Sequence, residues 1–215
     1  MTSPPVAALT SSPPRHVFLA SRSPRRREIL SQMGVRYDML LLRDASGRPI
    51  DVDETPRPGE PATDYVVRLS EEKAEVGWAR LIQRKLLPAP VLAADTTVTI
   101  DGEIIGKPAD RAEAAAVLRR LSGREHVVHT AVAVQMERRR ESILSSTRVL
   151  FGELTNEAIA NYIATGEPMD KAGSYGIQGR ASIFVRRIEG SYTGVMGLPT
   201  YETAWLLNRF GLPLP

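Results

Sequence analysis

Apolar and polar positions alternate along this chain in two periods, and the changes between them mark the elements. Residues 16–20 (H-V-F-L-A) form a short apolar run that predicts a buried strand. Ser23 follows as a helix N-cap with Pro24 at the first helical position, Leu30 and Met33 inward, and Gly34 as the stop. A second strand is predicted over 35–42, then a polar loop over 43–61 rich in Gly, Pro and acids. Tyr65, Val66, Leu69, Val76 and Leu81 give the apolar stripe of a helix from Ala62 to about Leu86. Val91 to Ala94 open a central strand that continues to Asp101-Gly102, a dipeptide suited to a tight hairpin because both positions take positive φ. Residues 103–105 form the return strand.

Asp110 caps a further helix that ends at Leu121, and two long strands are predicted at about 125–136 and 142–151 as an antiparallel pair. Thr155 caps a helix reaching Thr165. A turn-rich stretch follows, in which Gly166, Gly173, Gly176 and Gly179 imply positive φ or a close approach of backbone to a ligand. A strand over 182–188 and a helix starting at Pro199 complete the pattern, with Trp205, Leu206 and Phe210 expected in the core.

A length of 215 residues suits one sizeable α/β domain or two small lobes. Residues 1–14 (M-T-S-P-P-V-A-A-L-T-S-S-P-P) lack the basic leader of a signal peptide and predict a disordered tail. No apolar run approaches membrane-spanning length. The chain has no cysteine, which excludes disulfides, thiolate metal sites and a Cys nucleophile and suits a reducing cytoplasm. A net charge of +3 is too small to imply a nucleic-acid partner. Only four of the 28 basic residues are lysines, and three of these (Lys73, Lys107, Lys171) fall in stretches that other features single out.

Candidate chemistry gathers at three places. Ser21, Ser23, Arg25, Arg26 and Arg27 surround the start of the first helix. There, free amides and the helix dipole favour an anion such as a phosphate chain, which would offset arginines placed at the wrong end of the dipole. Asp95, followed by Thr96 and Thr97, ends the apolar run of the central strand, and the hairpin brings Lys107 back towards it. Taken alone, Asp95 also suits a strand-end residue bonded to Thr97. In the acidic loop Glu54 is a better ligand for a hard cation than Asp51. His126 and His129, three apart on a strand, point to opposite faces and do not make a metal site. Gln178 supplies an amide that both donates and accepts, as contact with a nucleobase edge requires.

Five motifs in order, L-A-S-R-S-P-R-R-R-E-I-L, Y-V-V-R-L-S-E-E-K-A, A-A-D-T-T-V with G-K-P-A-D, L-S-G-R-E-H, and D-K-A-G-S-Y-G-I-Q-G with V-M-G-L-P, together resemble the Maf family. These are nucleoside triphosphate pyrophosphatases first associated with septum formation. The resemblance spans about residues 17–210. It implies one domain over 15–215, of mixed α/β structure related to the inosine triphosphate pyrophosphatases: an elongated central sheet flanked by helices, with a cleft between two lobes. It implies Asp95 as the proton acceptor, with Arg25, Thr96 and Gln178 at the specificity positions. Arg and Gln there resemble the branch that acts on dTTP and UTP. Ser21, Ser23, Arg26, Lys73 and Lys107 would hold the triphosphate, and Glu54 with Asp95 a divalent cation, Mg²⁺ or Mn²⁺. A homodimer is a further expectation, and a stable nucleic-acid partner is not. The alternatives are a pyrophosphatase for 7-methyl-GTP or another modified purine, and a non-catalytic nucleotide-binding regulator of division.

Overall fold

The segment Val91–Ile100 is the strand on which the others register, because its residues are buried on both faces almost throughout. The computed structural model describes residues 16–42 and 52–214, so the predicted tail and the part of the acidic loop that holds Asp51 lie outside the described residues. Seven strands form one mixed sheet: β1 (Val17–Leu19), β2 (Tyr37–Met39), β3 (Val91–Ile100), β4 (Glu103–Ile105), β5 (Glu125–Met136), β6 (Arg139–Phe151) and β7 (Val185–Glu189). Their order is β2-β1-β3-β5-β6-β7, with β4 paired to β3 outside that path. β1 is parallel to β2 and β3, and the remaining pairs are antiparallel.

The helices are α1 (Pro24–Gln32), α2 (Ala62–Gln83), α3 (Arg111–Leu121), α4 (Asn156–Ala164), α5 (Tyr192–Met196) and α6 (Thr200–Arg209). Strand alternation sorts them by face. Leu92 and Ala94 pack with Ile29 and Leu30 of α1 and Leu206 and Leu207 of α6. Val91 and Ala93 face the other way, onto Ala74 and Leu81 of α2. Gly77 lets α2 lie close to the sheet: a Cβ there would stand 2.7 Å from the Val91 side chain and 3.1 Å from the Ala20 Cβ. Lys73, one turn earlier on the same helical face, is thereby brought over β3.

The two edges of β3 are unequal. β5 follows one edge from Val91 to Thr99. The other is shared between β1, opposite Val91 and Leu92, and β4, opposite Val98 to Ile100. Between them, over 93–97, this edge has no strand partner among the described residues. Asp95 is at the centre of that gap. The hairpin that returns β4 turns at Asp101 (φ 55°) and Gly102 (φ 79°), as the dipeptide predicts.

Several boundaries differ from expectation. β6 begins at Arg139, because a two-residue turn at Glu137-Arg138 lets the strands pair from Met136↔Arg139 onward. β7 begins only at Val185, since residues Arg180–Phe184 wind into a 3-10 helix. Pro199 is the residue before α6 rather than its first turn. Leu206 and Phe210 are buried, but Trp205 is half-exposed and the Arg209 guanidinium lies 4.8 Å over its ring. No helix among the described residues is long and apolar enough to cross a membrane.

His126 and His129 do fall on opposite faces of β5. His129 contacts Ser146 and Thr99, while His126 is buried, bonded to the Tyr175 hydroxyl (2.8 Å) and set edge-on to Phe151 and Tyr175. Burial pushes the His126 imidazole down to about 4 from its usual 6.5. As pH falls through 6.5 the unfolded chain takes up a proton that the native state refuses. Stability is therefore complete above that pH and is lost as pH drops towards 4, by roughly 3 kcal/mol over the interval. Urea denaturation of wild type and His126→Phe at pH 7 and pH 4.5 checks this. The wild type is expected to lose the larger share, and equal losses would contradict it.

Candidate active site

The gap in β3 opens into a pocket of about 760 Å³. Apart from Arg27, the sequence-predicted site residues of the described chain line it: Ser21, Ser23, Arg25 and Arg26 from the α1 end, Glu54 from the acidic loop, Lys73 from α2, Asp95 and Thr96 from β3, Lys107 after β4, and Gln178 from the glycine-rich turn. Lys171 is there too, so the three lysines noted in the sequence share one cavity.

The acid–base contact is different from the one the hairpin suggested. Asp95 faces α2, and its Oδ1 accepts from Lys73 Nζ at 2.7 Å; the same ammonium donates to Glu54 Oε1 at 2.6 Å. Lys107 lines the pocket but is not the ion-pair partner of Asp95. It lies on the neighbouring β4 strand end, whereas Lys73 reaches down from a helix packed on the Asp95 face. Burial pushes the Glu54 carboxyl up, but the Lys73 bond and charge, backed by Lys107 and Arg26, outweigh this and hold it below the usual carboxylate range.

Thr96 projects to the other face of β3, and there it meets Arg26. The guanidinium donates three ways: Nε to the Gly197 carbonyl (2.8 Å), Nη1 to Ser21 Oγ (3.2 Å) and Nη2 to Thr96 Oγ1 (3.2 Å). Thr130 gives its own proton to the Gly194 carbonyl (2.7 Å), so across the 3.0 Å contact between the two hydroxyls Thr96 is the donor. The orientation of the Thr96 hydroxyl is therefore fixed by its neighbours. Burial lowers the Arg26 pKa, with Asp95 opposing the shift, and a guanidinium stays charged regardless.

At the start of α1, Ser23 is the predicted N-cap, with its Oγ accepting from the Arg26 amide (3.4 Å), and Ser21 Oγ accepts from the Ser23 amide (3.2 Å). The Arg27 amide bonds the Ser23 carbonyl and Pro24 has no N–H, which leaves the Arg25 amide as the first-turn donor without a partner among the described residues. The first turn holds no acid. Among the described residues neither Arg25 nor Lys107 has an ion pair, so both cations are available to an anionic ligand.

Two residues outside the expected set hold the acidic loop in place. Arg68 clasps Glu60 through two bonds (2.6 and 2.8 Å) and reaches the Asp53 and Thr55 carbonyls (3.4 and 3.3 Å). The Tyr65 hydroxyl donates to the Glu54 carbonyl (2.9 Å), and burial, followed by the charges of Asp95 and Glu54, pushes its pKa up to about 12. Arg68 sits in a run of exposed-looking charges, and nothing in the sequence separated it from a solvated helix face. Of the four glycines in the turn-rich stretch, Gly166 and Gly173 have positive φ. Gly176 and Gly179 instead pack against Lys171 and Glu167 of the chain itself.

The donor set at Asp95 also bears on a cation. Two carboxylates converge on a single positive charge, and no third acid or histidine joins them among the described residues. Two oxygens completed by substrate phosphate are what a hard divalent ion accepts, so these residues fit one.

A Maf-like protein family matches residues 16–210. Among curated proteins, a dTTP/UTP pyrophosphatase of Aromatoleum aromaticum is 56% identical over 199 residues, covering 92% of this chain and 97% of that protein. A dTTP/UTP pyrophosphatase of Dechloromonas aromatica is 54% identical, covering 91% and 97%. A third, of Bordetella pertussis, is 51% identical over 209 residues, 97% of this chain and 99% of the relative.

Proposed function

The chain belongs to the Maf family, and from that premise we propose that it is a dTTP/UTP pyrophosphatase, releasing the nucleoside monophosphate and pyrophosphate. The observation that carries this reading is the junction on β3. The Asp95 carboxylate and the Arg26-bound Thr96 are adjacent in sequence, lie on opposite faces, and open into one pocket that also holds Arg25 and Lys107, neither of them ion-paired among the described residues.

Hydrolysis at the α-phosphate forms a bond from water oxygen to phosphorus and breaks the bond to the bridging oxygen of the β-phosphate. Asp95 takes the proton from that water, and the 2.7 Å contact with Lys73 holds its carboxyl group in place to do so. Ser21, Ser23, the Arg25 amide and Arg26 hold the triphosphate at the α1 end. Lys73 and Lys107 offset the charge that accumulates on the departing pyrophosphate. Glu54 and Asp95 would hold a divalent cation, Mg²⁺ or Mn²⁺, which when bound neutralises phosphate charge. Arg25, Thr96 and Gln178 select the base.

The test is product analysis with dTTP, UTP, the other common triphosphates and 7-methyl-GTP, each with Mg²⁺ and with EDTA. Pyrophosphate and monophosphate are expected from dTTP and UTP, with activity lost on chelation. Orthophosphate as the product, or a preference for a purine, would overturn the reading. Full activity in EDTA would remove the cation from it.

A further inference from the structure

Gln178 occupies the third position of a turn that closes from the Gly179 amide to the Gly176 carbonyl (2.9 Å). Both ends of this turn are held by a single carboxylate that is not on the pocket wall. Glu167 Oε2 accepts directly from the Arg180 amide (3.1 Å). Glu167 Oε1 accepts from the Tyr162 hydroxyl (2.9 Å), which in turn accepts from the Gly176 amide (3.2 Å). The carboxylate also fills the space beside Gly179, where a Cβ would stand 2.2 to 2.7 Å from its atoms. Gly176 and Gln178 line the pocket, while Glu167 and Tyr162 stand behind them, with Tyr162 buried.

We propose that Glu167, acting through Tyr162 and the Arg180 amide, is the positioning residue that sets the Gln178 turn and hence nucleobase selectivity. The proposal rests on the nucleotide-hydrolysing reading above, in which Gln178 contacts the base. Its physical basis is that two held amides, Gly176 opening the turn and Arg180 just beyond it, fix the backbone from which the Gln178 side chain projects. Freed of the carboxylate, the Arg180 amide is unmatched, the Tyr162 hydroxyl that serves the Gly176 amide loses its own acceptor, space opens beside Gly179, and Gln178 can move. The Glu167 carboxylate bonds none of the groups assigned to the triphosphate, so the influence of that side chain should stop at the base.

The experiment compares wild type, Glu167→Ala and Tyr162→Phe on dTTP, UTP, dGTP and CTP, and measures inhibition by inorganic tripolyphosphate. In Glu167→Ala, kcat/KM for the preferred base is expected to fall about tenfold, mainly through KM, and the ratio of preferred to disfavoured bases about fivefold. Inhibition by tripolyphosphate, which has no base, should stay within about twofold of wild type. Tyr162→Phe, which removes one hydroxyl, should shift selectivity in the same direction by a smaller factor. Equal losses on every triphosphate together with weaker tripolyphosphate inhibition would mean general disruption and overturn the proposal, as would unchanged selectivity. If Glu167→Ala does not fold, Tyr162→Phe decides alone, and unchanged selectivity in it is the overturning result. A wild type that prefers some other base counts against the proposed substrate only. The variant-to-wild-type ratio for that base still tests Glu167.

Discussion

Asp95→Asn is expected to lower dTTP and UTP hydrolysis by about a thousandfold while leaving nucleotide binding close to wild type. The amide has the size and shape of the carboxylate, so the packing of β3 against α2 is kept. It cannot take a proton from water, and it replaces the charge that faces Lys73 at 2.7 Å. Lys73 retains Glu54 as an acceptor at 2.6 Å and stays in place. The groups assigned to the triphosphate, from Ser21 to Arg26 and Lys107, are untouched. Removing a negative charge from a pocket that accepts a polyanion favours binding, which offsets the loss of one of the two carboxylates that would hold the cation, with Glu54 retained. Single-turnover hydrolysis and calorimetric titration with dTTP separate the two effects. Undiminished turnover in this variant would end the assignment of Asp95 as the base.

Arg26→Lys is the second large effect, and it isolates shape from charge. The guanidinium bonds Gly197, Ser21 and Thr96 with three nitrogens held in one plane, tying the α1 entry, β3 and the segment after α5 together. An ammonium is a single point on a flexible stem and cannot span acceptors in three separate segments. The expected result is a loss of about a hundredfold in kcat/KM, with KM raised, because Ser21 and Thr96 lose their common anchor. Circular dichroism should show the fold retained, since Ile29 and Leu30, the buried residues of α1, are unaltered. Near-normal activity in the lysine variant would show that only the positive charge matters there.

The clarity of the sequence varied with how local each feature is. The Ser23 cap, the Asp101-Gly102 hairpin and the Asp110 and Thr155 caps are set by residues within three or four positions, and each forms where predicted. Strand ends were less clear. β6 extends back to Arg139 because pairing with β5 stabilises backbone that its charged side chains do not mark as strand. Trp205 looked like core by its type, yet its place on α6 leaves it half in solvent under Arg209. Residue identity reports a preference for burial, while the helix's orientation decides which side is covered.

The sequence by itself determined the α/β elements, the family motifs and the identities of the pocket residues, from Ser21 to Gln178. Each of these follows from local spacing or from a run of residue types, which the linear order carries in full. Tertiary structure alone decided the partners. Lys73 rather than Lys107 meets Asp95 because Gly77 admits α2 close to the sheet. Asp95 and Thr96, neighbours in sequence, serve opposite faces of β3 and meet Lys73 and Arg26 respectively. Arg68, Tyr65 and Glu167 gain their roles from contacts made eight to fifteen residues away in the chain, or through a turn whose path no local spacing fixes. Those contacts depend on how helices pack on a sheet with one interrupted edge, a property of the assembled layers that no single segment contains.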